Sequence, residues 1–164
     1  MLRASPLRGF HIPGVLNKII ATLFADDTTT YLSELDDFAT LQQLLDTWCS
    51  ASGAKFNIGK TEIIPIGTEE YRQRVVTTRR MNSTSAAIPA AIHIAHDGEA
   101  TRSLGAWIGN KIDDAAPWSS NLEKVAAELL RWGRSNPTLR GRRLIVQMMI
   151  GGITQYMAKA QGMP

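Results

Sequence analysis

Leu23-Phe24-Ala25-Asp26-Asp27-Thr28 is the stretch on which the reading of this chain turns. The run that feeds it, Lys18-Ile19-Ile20-Ala21-Thr22-Leu23-Phe24-Ala25, is mostly apolar and β-prone, and Thr28-Thr29-Thr30-Tyr31-Leu32 is β-prone again. Two such runs around a short acidic turn predict a hairpin with Asp26 and Asp27 at its tip. Adjacent carboxylates repel, so ionising both is costly unless a cation sits between them. Aspartate is also an ordinary turn residue, and taken alone the dipeptide reads first as an acidic turn. The sharper alternative is a divalent-metal site for phosphoryl transfer. Mg²⁺ prefers carboxylate oxygens, and two such ions would stabilise both the attacking and the leaving oxygen.

Working outward, Met1 to Asn17 is punctuated by Pro6, Gly9, Pro13 and Gly14 and reads as a loop feeding the first strand. Ser33, with Asp36 three residues on, predicts the start of a helix whose apolar set is Leu35, Phe38, Leu41, Leu44, Leu45 and Trp48, stopped at Gly53. Two short β-like pieces, Lys55–Ile58 and Glu62–Ile66, flank Gly59-Lys60-Thr61. Thr68 predicts the cap of a polar helix running to about Arg80, followed by a loop at Asn82–Ser85. Ile92–Ile94 and Ser103–Ile108 read as two strands joined across Asp97-Gly98. Pro117 suits the first turn of a helix with Leu122, Val125, Leu129, Leu130 and Trp132 on its buried stripe. Asn136-Pro137 ends it. A last helix from Thr138 carries Leu139, Leu144, Ile145, Met148, Met149, Ile153 and Tyr156, loosened at Gly151-Gly152. The order predicts an α+β body followed by an all-α tail, with the join at 109–116.

Composition narrows the classes. The 164 residues suit one domain with at most a small satellite, and 44% apolar with 20% charged residues is an ordinary globular balance. A single cysteine, Cys49, excludes a disulfide scaffold and a Cys-based zinc site, and its place at the end of an amphipathic helix predicts a buried thiol. No apolar run approaches a membrane span, and the N-terminus lacks the apolar stretch of a signal peptide, so an intracellular protein is expected. His11, His93 and His96 form no metal triplet with helical spacing; His93, between Ile92 and Ile94, is expected to face outward on a strand. Gly59-Lys60-Thr61 ends like a phosphate loop, but the earlier glycine such a loop needs is Ala54. Net charge is +3 and uneven: residues 1–117 carry 11 basic and 13 acidic side chains, residues 118–164 carry 7 and 2. The basic tail reads either as a solvated helix face or as a surface for an anionic partner.

Several boxes in order carry a resemblance. Leu23-Phe24-Ala25-Asp26-Asp27-Thr28, a helix, then Ser52-Gly53-Ala54-Lys55-Phe56-Asn57-Ile58-Gly59-Lys60-Thr61-Glu62 resemble the palm of reverse transcriptases. The closer match is the LINE-type (non-LTR) retrotransposon branch, where the first box commonly begins with Phe. Arg102-Ser103-Leu104-Gly105-Ala106-Trp107-Ile108-Gly109 is similar to the family's primer-grip segment. Pro117-Trp118 through Gln161-Gly162-Met163-Pro164 is similar to its thumb, in the style of fungal elements. The resemblance runs from about Gly9 to the C-terminus and implies residues 1–109 as a partial palm and 110–164 as a helical thumb-like region.

By that resemblance Asp26 and Asp27 fall on the metal-binding pair, Asp26 as the direct ligand and Asp27 in support, with Mg²⁺ as the implied ion. Lys60 falls on a lysine that would protonate the leaving pyrophosphate or contact the incoming nucleotide; by itself it reads as a solvated loop lysine. Leu104, Gly105 and Trp107 would hold the primer end, glycine permitting close backbone approach; Trp107 reads equally as a core residue. Lys124, Arg131, Arg134, Arg140, Arg142, Arg143 and Lys159 would neutralise phosphates along a primer–template duplex, contacts that are independent of sequence and strongly salt-dependent. The implied partners are an RNA template and a DNA primer, with no membrane and no small molecule beyond nucleotides, and the implied location is the nucleus for an active element.

The family's two-metal site also needs a third carboxylate from an earlier palm strand. None of the first 25 residues is Asp or Glu, and the fingers and the Gly- and Pro-rich box that precede the hairpin are absent too. Glu34, Asp36 and Asp37 are expected to cap or solvate the outgoing helix. The expectation is therefore a C-terminal fragment of an RNA-directed DNA polymerase that is inactive alone, binding metal weakly or not at all, with its missing half encoded elsewhere if anywhere. The alternative is a non-catalytic nucleic-acid-binding module built on the basic C-terminal helices; a third reading is a poorly folding remnant.

Overall fold

A computed structural model describes residues 1–163. The chain is mixed α+β and divides into two compact units, Met1–His96 and Asp97–Pro164. The expected join at 109–116 lies inside the second unit, which takes in the primer-grip-like segment together with the helices. No helix among the described residues is long and apolar enough to cross a membrane.

In the first unit the acidic hairpin forms as expected. Strands β1 (Ala21–Phe24) and β2 (Asp27–Thr30) pair antiparallel from Ala21 opposite Thr30 to Phe24 opposite Asp27. This register leaves Ala25 and Asp26 as a two-residue loop. Such loops need a positive φ at their first position, and Ala25 supplies it at 51°. The sheet has only these two strands. Its apolar side chains are left uncovered, Leu23 at 73% and Phe24 at 67% exposure.

Helix α1 (Phe38–Ser52) starts later than Ser33, because Asp37 takes the N-cap and accepts from the Ala39 amide at 3.3 Å. Leu35 therefore falls outside the helix and is exposed, whereas Leu41 is buried. Gly53 ends the helix in the left-handed conformation, φ 73°, which glycine adopts without penalty. Cys49 is half-buried, so the expected full burial of its thiol is corrected.

Asp36 does not solvate the helix. It is 4% exposed, and its carboxylate accepts from the backbone amides of Arg8 (2.7 Å), Gly9 (3.0 Å) and Ser33 (2.8 Å). That fastens the N-terminal arm beside Ile19, whose amide and carbonyl exchange hydrogen bonds of 2.8 Å with Phe10. A Cβ at Gly9 would lie 2.4 Å from the Ile19 carbonyl oxygen, so this approach requires glycine. Leu7, Ile20 and Leu41 are buried together beneath it, with Leu32, Phe38, Leu44 and Leu45 packed around them.

Residues 55–58 find no partner strand. The following segment makes a 3₁₀ turn at Ile58–Lys60, and the strand reduces to β3 (Glu62–Ile63). β3 pairs in parallel with β4 (His93–Ile94), not with its sequence neighbour. Thr68 caps α2 (Glu69–Thr78) as expected, accepting from the Tyr71 amide. The loop 80–92 is held by Arg79, whose guanidinium donates to the carbonyls of Ile88 (3.1 Å), Pro89 (2.7 Å) and Ile92 (2.5 Å). Val75, Ile88, Ile92 and Ile94 form the second core cluster, with Phe38 packing against this one as well as the first. His93 is exposed, as its alternation predicts.

In the second unit the hairpin consists of β5 (Thr101–Ser103) and β6 (Ala106–Ile108), turning at Leu104-Gly105. It is thus the expected strand 103–108 that folds back on itself, in place of a turn at Asp97-Gly98 joining it to 92–94. Both loop residues have positive φ, 48° and 84°. Pro117 lies in the first turn of α3 (Ala116–Gly133). Of the expected stripe only Val125 is buried, joined by Trp118; Leu122 and Leu130 are exposed. After Asn136-Pro137 one long helix begins, capped by Thr138 through the Gly141 amide. It comprises α4 (Leu139–Ile145), a π-helical stretch at Val146–Gly151, and α5 (Gly152–Ala160). The helix is irregular just before the glycine pair expected to loosen it: the π-stretch ends at Gly151, and Gly152 already opens α5. Leu139, Leu144, Met148 and Tyr156 are exposed, and Met157 is buried.

Replacing Asp36 by alanine removes three hydrogen bonds from a buried carboxylate and leaves the Arg8, Gly9 and Ser33 amides without their acceptor. The expected cost is roughly 2–4 kcal/mol, read as a drop in the urea midpoint, and an unchanged midpoint would refute the structural role.

Candidate functional site

Two places hold the residues singled out by sequence. The first is the tip of the β1–β2 hairpin. Asp26 occupies the second loop position and Asp27 opens β2 opposite Phe24. Both are exposed, and neither carboxylate makes a hydrogen bond or ion pair with a described residue. Ala25, immediately before them, holds a left-handed backbone that costs a non-glycine residue on the order of 1 kcal/mol. Glu34 is drawn to Arg74 at 3.2 Å, Asp36 is consumed by backbone amides, and Asp37 caps α1. The three acids that follow the hairpin are therefore committed elsewhere.

Among the described residues no group of three or more His, Cys, Asp or Glu side chains is arranged to hold a metal ion. Two carboxylates, one on a loop and one on a strand, do not fit a two-metal centre. Lys60 ends the Ile58–Lys60 turn with its side chain exposed and pairs with neither aspartate.

The acidity shifts of this unit lie on α2. Burial raises the Tyr71 phenol, with Glu34 adding and Arg74 opposing. Backbone and Thr68 hydrogen bonds lower the Glu70 carboxyl at the helix start.

The second place is a cleft of about 550 Å³ within the second unit, bounded by the β5–β6 hairpin, the start of α3 and α5. Arg102 on β5 and Trp107 on β6 are directly paired across the hairpin, which sets both side chains on one face. Both line the cleft, as do Asn121 and Lys124 from α3, Tyr156 from α5, and Asp113. Two cations, one carboxylate and two aromatic rings converge there. Gly105 and Trp107, which the sequence resemblance gave as primer-holding residues, and the basic residue Lys124 are thus brought together, although they lie on different elements. Leu104 sits at the turn, half-exposed, its carbonyl accepting from the Tyr156 hydroxyl.

No family model, curated protein or solved structure matches the chain.

The remaining basic residues differ in availability. Arg131 is engaged with Glu128 at 3.3 Å and lies 5.6 Å from the Trp132 ring centroid. Arg142 donates from Nε to the Pro137 carbonyl at 3.2 Å. Arg134, Arg140, Arg143 and Lys159 are exposed, without a partner among the described residues. Sequence reasoning missed Arg102, Asn121, Tyr156 and Gln161 as site residues. Arg102 was within reach, since it stands two positions before the quoted Leu104. Tyr156 and Gln161 meet the hairpin across 52 and 54 positions of sequence, and no local pattern announces that.

Because Asp26 and Asp27 are exposed and unpaired, changing either to asparagine is expected to move stability by less than about 0.5 kcal/mol. A loss well beyond that in thermal or urea melts would mean the pair serves the fold.

Proposed function

We propose that this chain is the C-terminal palm and thumb part of a retrotransposon reverse transcriptase, and that by itself it binds a primer–template duplex without extending it. What supports the descent is the ordered set of boxes in the sequence, with the Asp26-Asp27 pair standing at a hairpin tip. The observation that carries the binding function is the cleft of the second unit, where Arg102, Lys124 and Trp107 converge. A nucleic acid strand offers what such a surface takes, phosphates for the cations and a base face for the ring.

Charge agrees with this assignment of roles. The first unit carries nine basic and nine acidic side chains, whereas the second carries nine and six. The excess lies on α4, where Arg140, Arg142 and Arg143 sit within one turn and would extend the phosphate track, whereas on α3 two basic and two acidic side chains balance.

Polymerase chemistry needs more than the hairpin offers. Two-metal transfer calls for a third carboxylate at fixed geometry, and misplacing reacting oxygens by 1 Å costs on the order of 100-fold in rate. Mg²⁺ would bind the Asp26-Asp27 pair weakly, and Lys60 would have no aligned pyrophosphate to protonate. The second reading, a nucleic-acid-binding module with no polymerase ancestry, is favoured by the exposed, unsupported aspartates. A Mn²⁺ titration separates the two: weak binding lost in Asp26→Asn and Asp27→Asn favours descent, and no binding favours the module.

The test of the binding function is fluorescence anisotropy with a short RNA–DNA duplex over a range of salt. Affinity should fall steeply as salt rises. Replacing Arg140, Arg142 and Arg143 together by alanine should shrink the slope of log K against log salt by up to about 3. Binding that ignores salt would refute the reading. Extension of a primer in Mg²⁺ by the wild-type chain, abolished in Asp26→Ala, would overturn the claim that it does not polymerise.

A further inference from the structure

The two-residue turn at Leu104-Gly105 makes Ser103 and Ala106 the hydrogen-bonded pair of the β5–β6 hairpin. The next pair, Arg102 and Trp107, is of the type whose amides and carbonyls point away from the partner strand. On a two-stranded sheet these groups of Trp107 would face solvent. They are instead taken up by one side chain. The Gln161 carboxamide accepts from the Trp107 amide through Oε1 at 2.8 Å and donates to the Trp107 carbonyl through Nε2 at 2.8 Å. A side-chain amide thus stands where a third strand would supply a peptide group.

Two further contacts make this a fastening and not an isolated bond. The Tyr156 hydroxyl donates to the Leu104 carbonyl, and its ring lies so close to the turn that a Cβ on Gly105 would be 3.1 Å from it. Trp118 Nε1 donates to the Gly162 carbonyl at 2.9 Å, securing the chain just beyond Gln161 to α3. The segment 156–162 therefore grips the hairpin at its turn and at its edge.

We infer that Gln161 is a positioning residue for nucleic-acid binding: by clamping the backbone of Trp107 it orients the Trp107 ring and, through the cross-strand pair, the Arg102 guanidinium into the cleft. The inference rests on the nucleic-acid reading of that cleft. Gln161 itself touches no ligand in this scheme. Its effect passes entirely through Trp107.

The experiment uses the full chain and its variants Gln161→Leu, Gln161→Glu, Trp107→Ala and the double variant Gln161→Leu/Trp107→Ala. Gln161→Glu keeps the acceptor for the Trp107 amide and loses the donor, so it serves should the leucine variant fail to fold. Hydrogen exchange should find the Trp107 amide protected in the wild type and released in Gln161→Leu. Affinity for the RNA–DNA duplex should drop about tenfold in Gln161→Leu, with the salt slope unchanged because every cation remains. In the Trp107→Ala background the same change should cost nothing further, since the ring it positions is gone. Equal losses in both backgrounds, or unaltered exchange and affinity, would overturn the inference while leaving nucleic-acid binding intact. A wild-type chain that does not bind the duplex at all would overturn both readings, and is recognised because no variant is needed to see it.

Discussion

One buried carboxylate organises the first unit. Asp36 holds Arg8, Gly9 and Ser33 by their backbone amides, so an arm from the start of the chain and the strand leaving the hairpin meet at a single point. A buried charge is tolerable only when its hydrogen-bonding capacity is used, and here peptide dipoles serve in place of a cation. The Phe10–Ile19 bridge, the tilted stacking of Phe10 and Tyr31 with centroids 5.6 Å apart, and the Leu7–Ile20–Leu41 core all lie next to that point. A two-stranded hairpin is marginal by itself. This one is held at its root while its tip projects with Leu23 and Phe24 uncovered.

The features legible in the sequence were those with local causes. The acidic hairpin, the glycine stop at 53, the threonine cap at 68, the helix start at 138 and the proline at 117 each depend on side chains within a few positions of one another. What was not legible depended on competition or distance. Ser33 and Asp37 both suit a helix start: the Asp36 carboxylate does accept from the Ser33 amide, as a capping box requires, but the chain makes only a turn there and the helix begins at Phe38 with Asp37 as its cap. Residues 55–58 have strand-like composition but no neighbour to pair with, while β3 and β4 find one another across a helix and a long loop. The loop chemistry of Leu104-Gly105 was hidden because leucine is an unusual occupant of a left-handed position.

The site divides along the same line. The aspartate pair and the arginine cluster of α4 are contiguous in sequence and were identifiable as candidates from it. The cleft is assembled from β5, β6, α3 and α5, so its membership is a property of the fold. Apolar periodicity on α3 and α4 misled in a different way. Leu122, Leu130, Leu139 and Leu144 have helical spacing but stand exposed, because spacing defines a stripe without saying what, if anything, will cover it.

The π-helical stretch at Val146–Gly151 has a consequence for the geometry of everything after it. A π-turn accommodates about one residue more than an α-turn, and one residue corresponds to roughly 100° of rotation about the helix axis. The long helix is therefore out of phase with itself across this point: α4 and α5 belong to one rod but obey different angular registers. The extra residue acts as a phase shifter, and it is the shifted register that turns Tyr156 toward Leu104 and Met157 toward the interior. In this segment the number of residues matters as much as their identity.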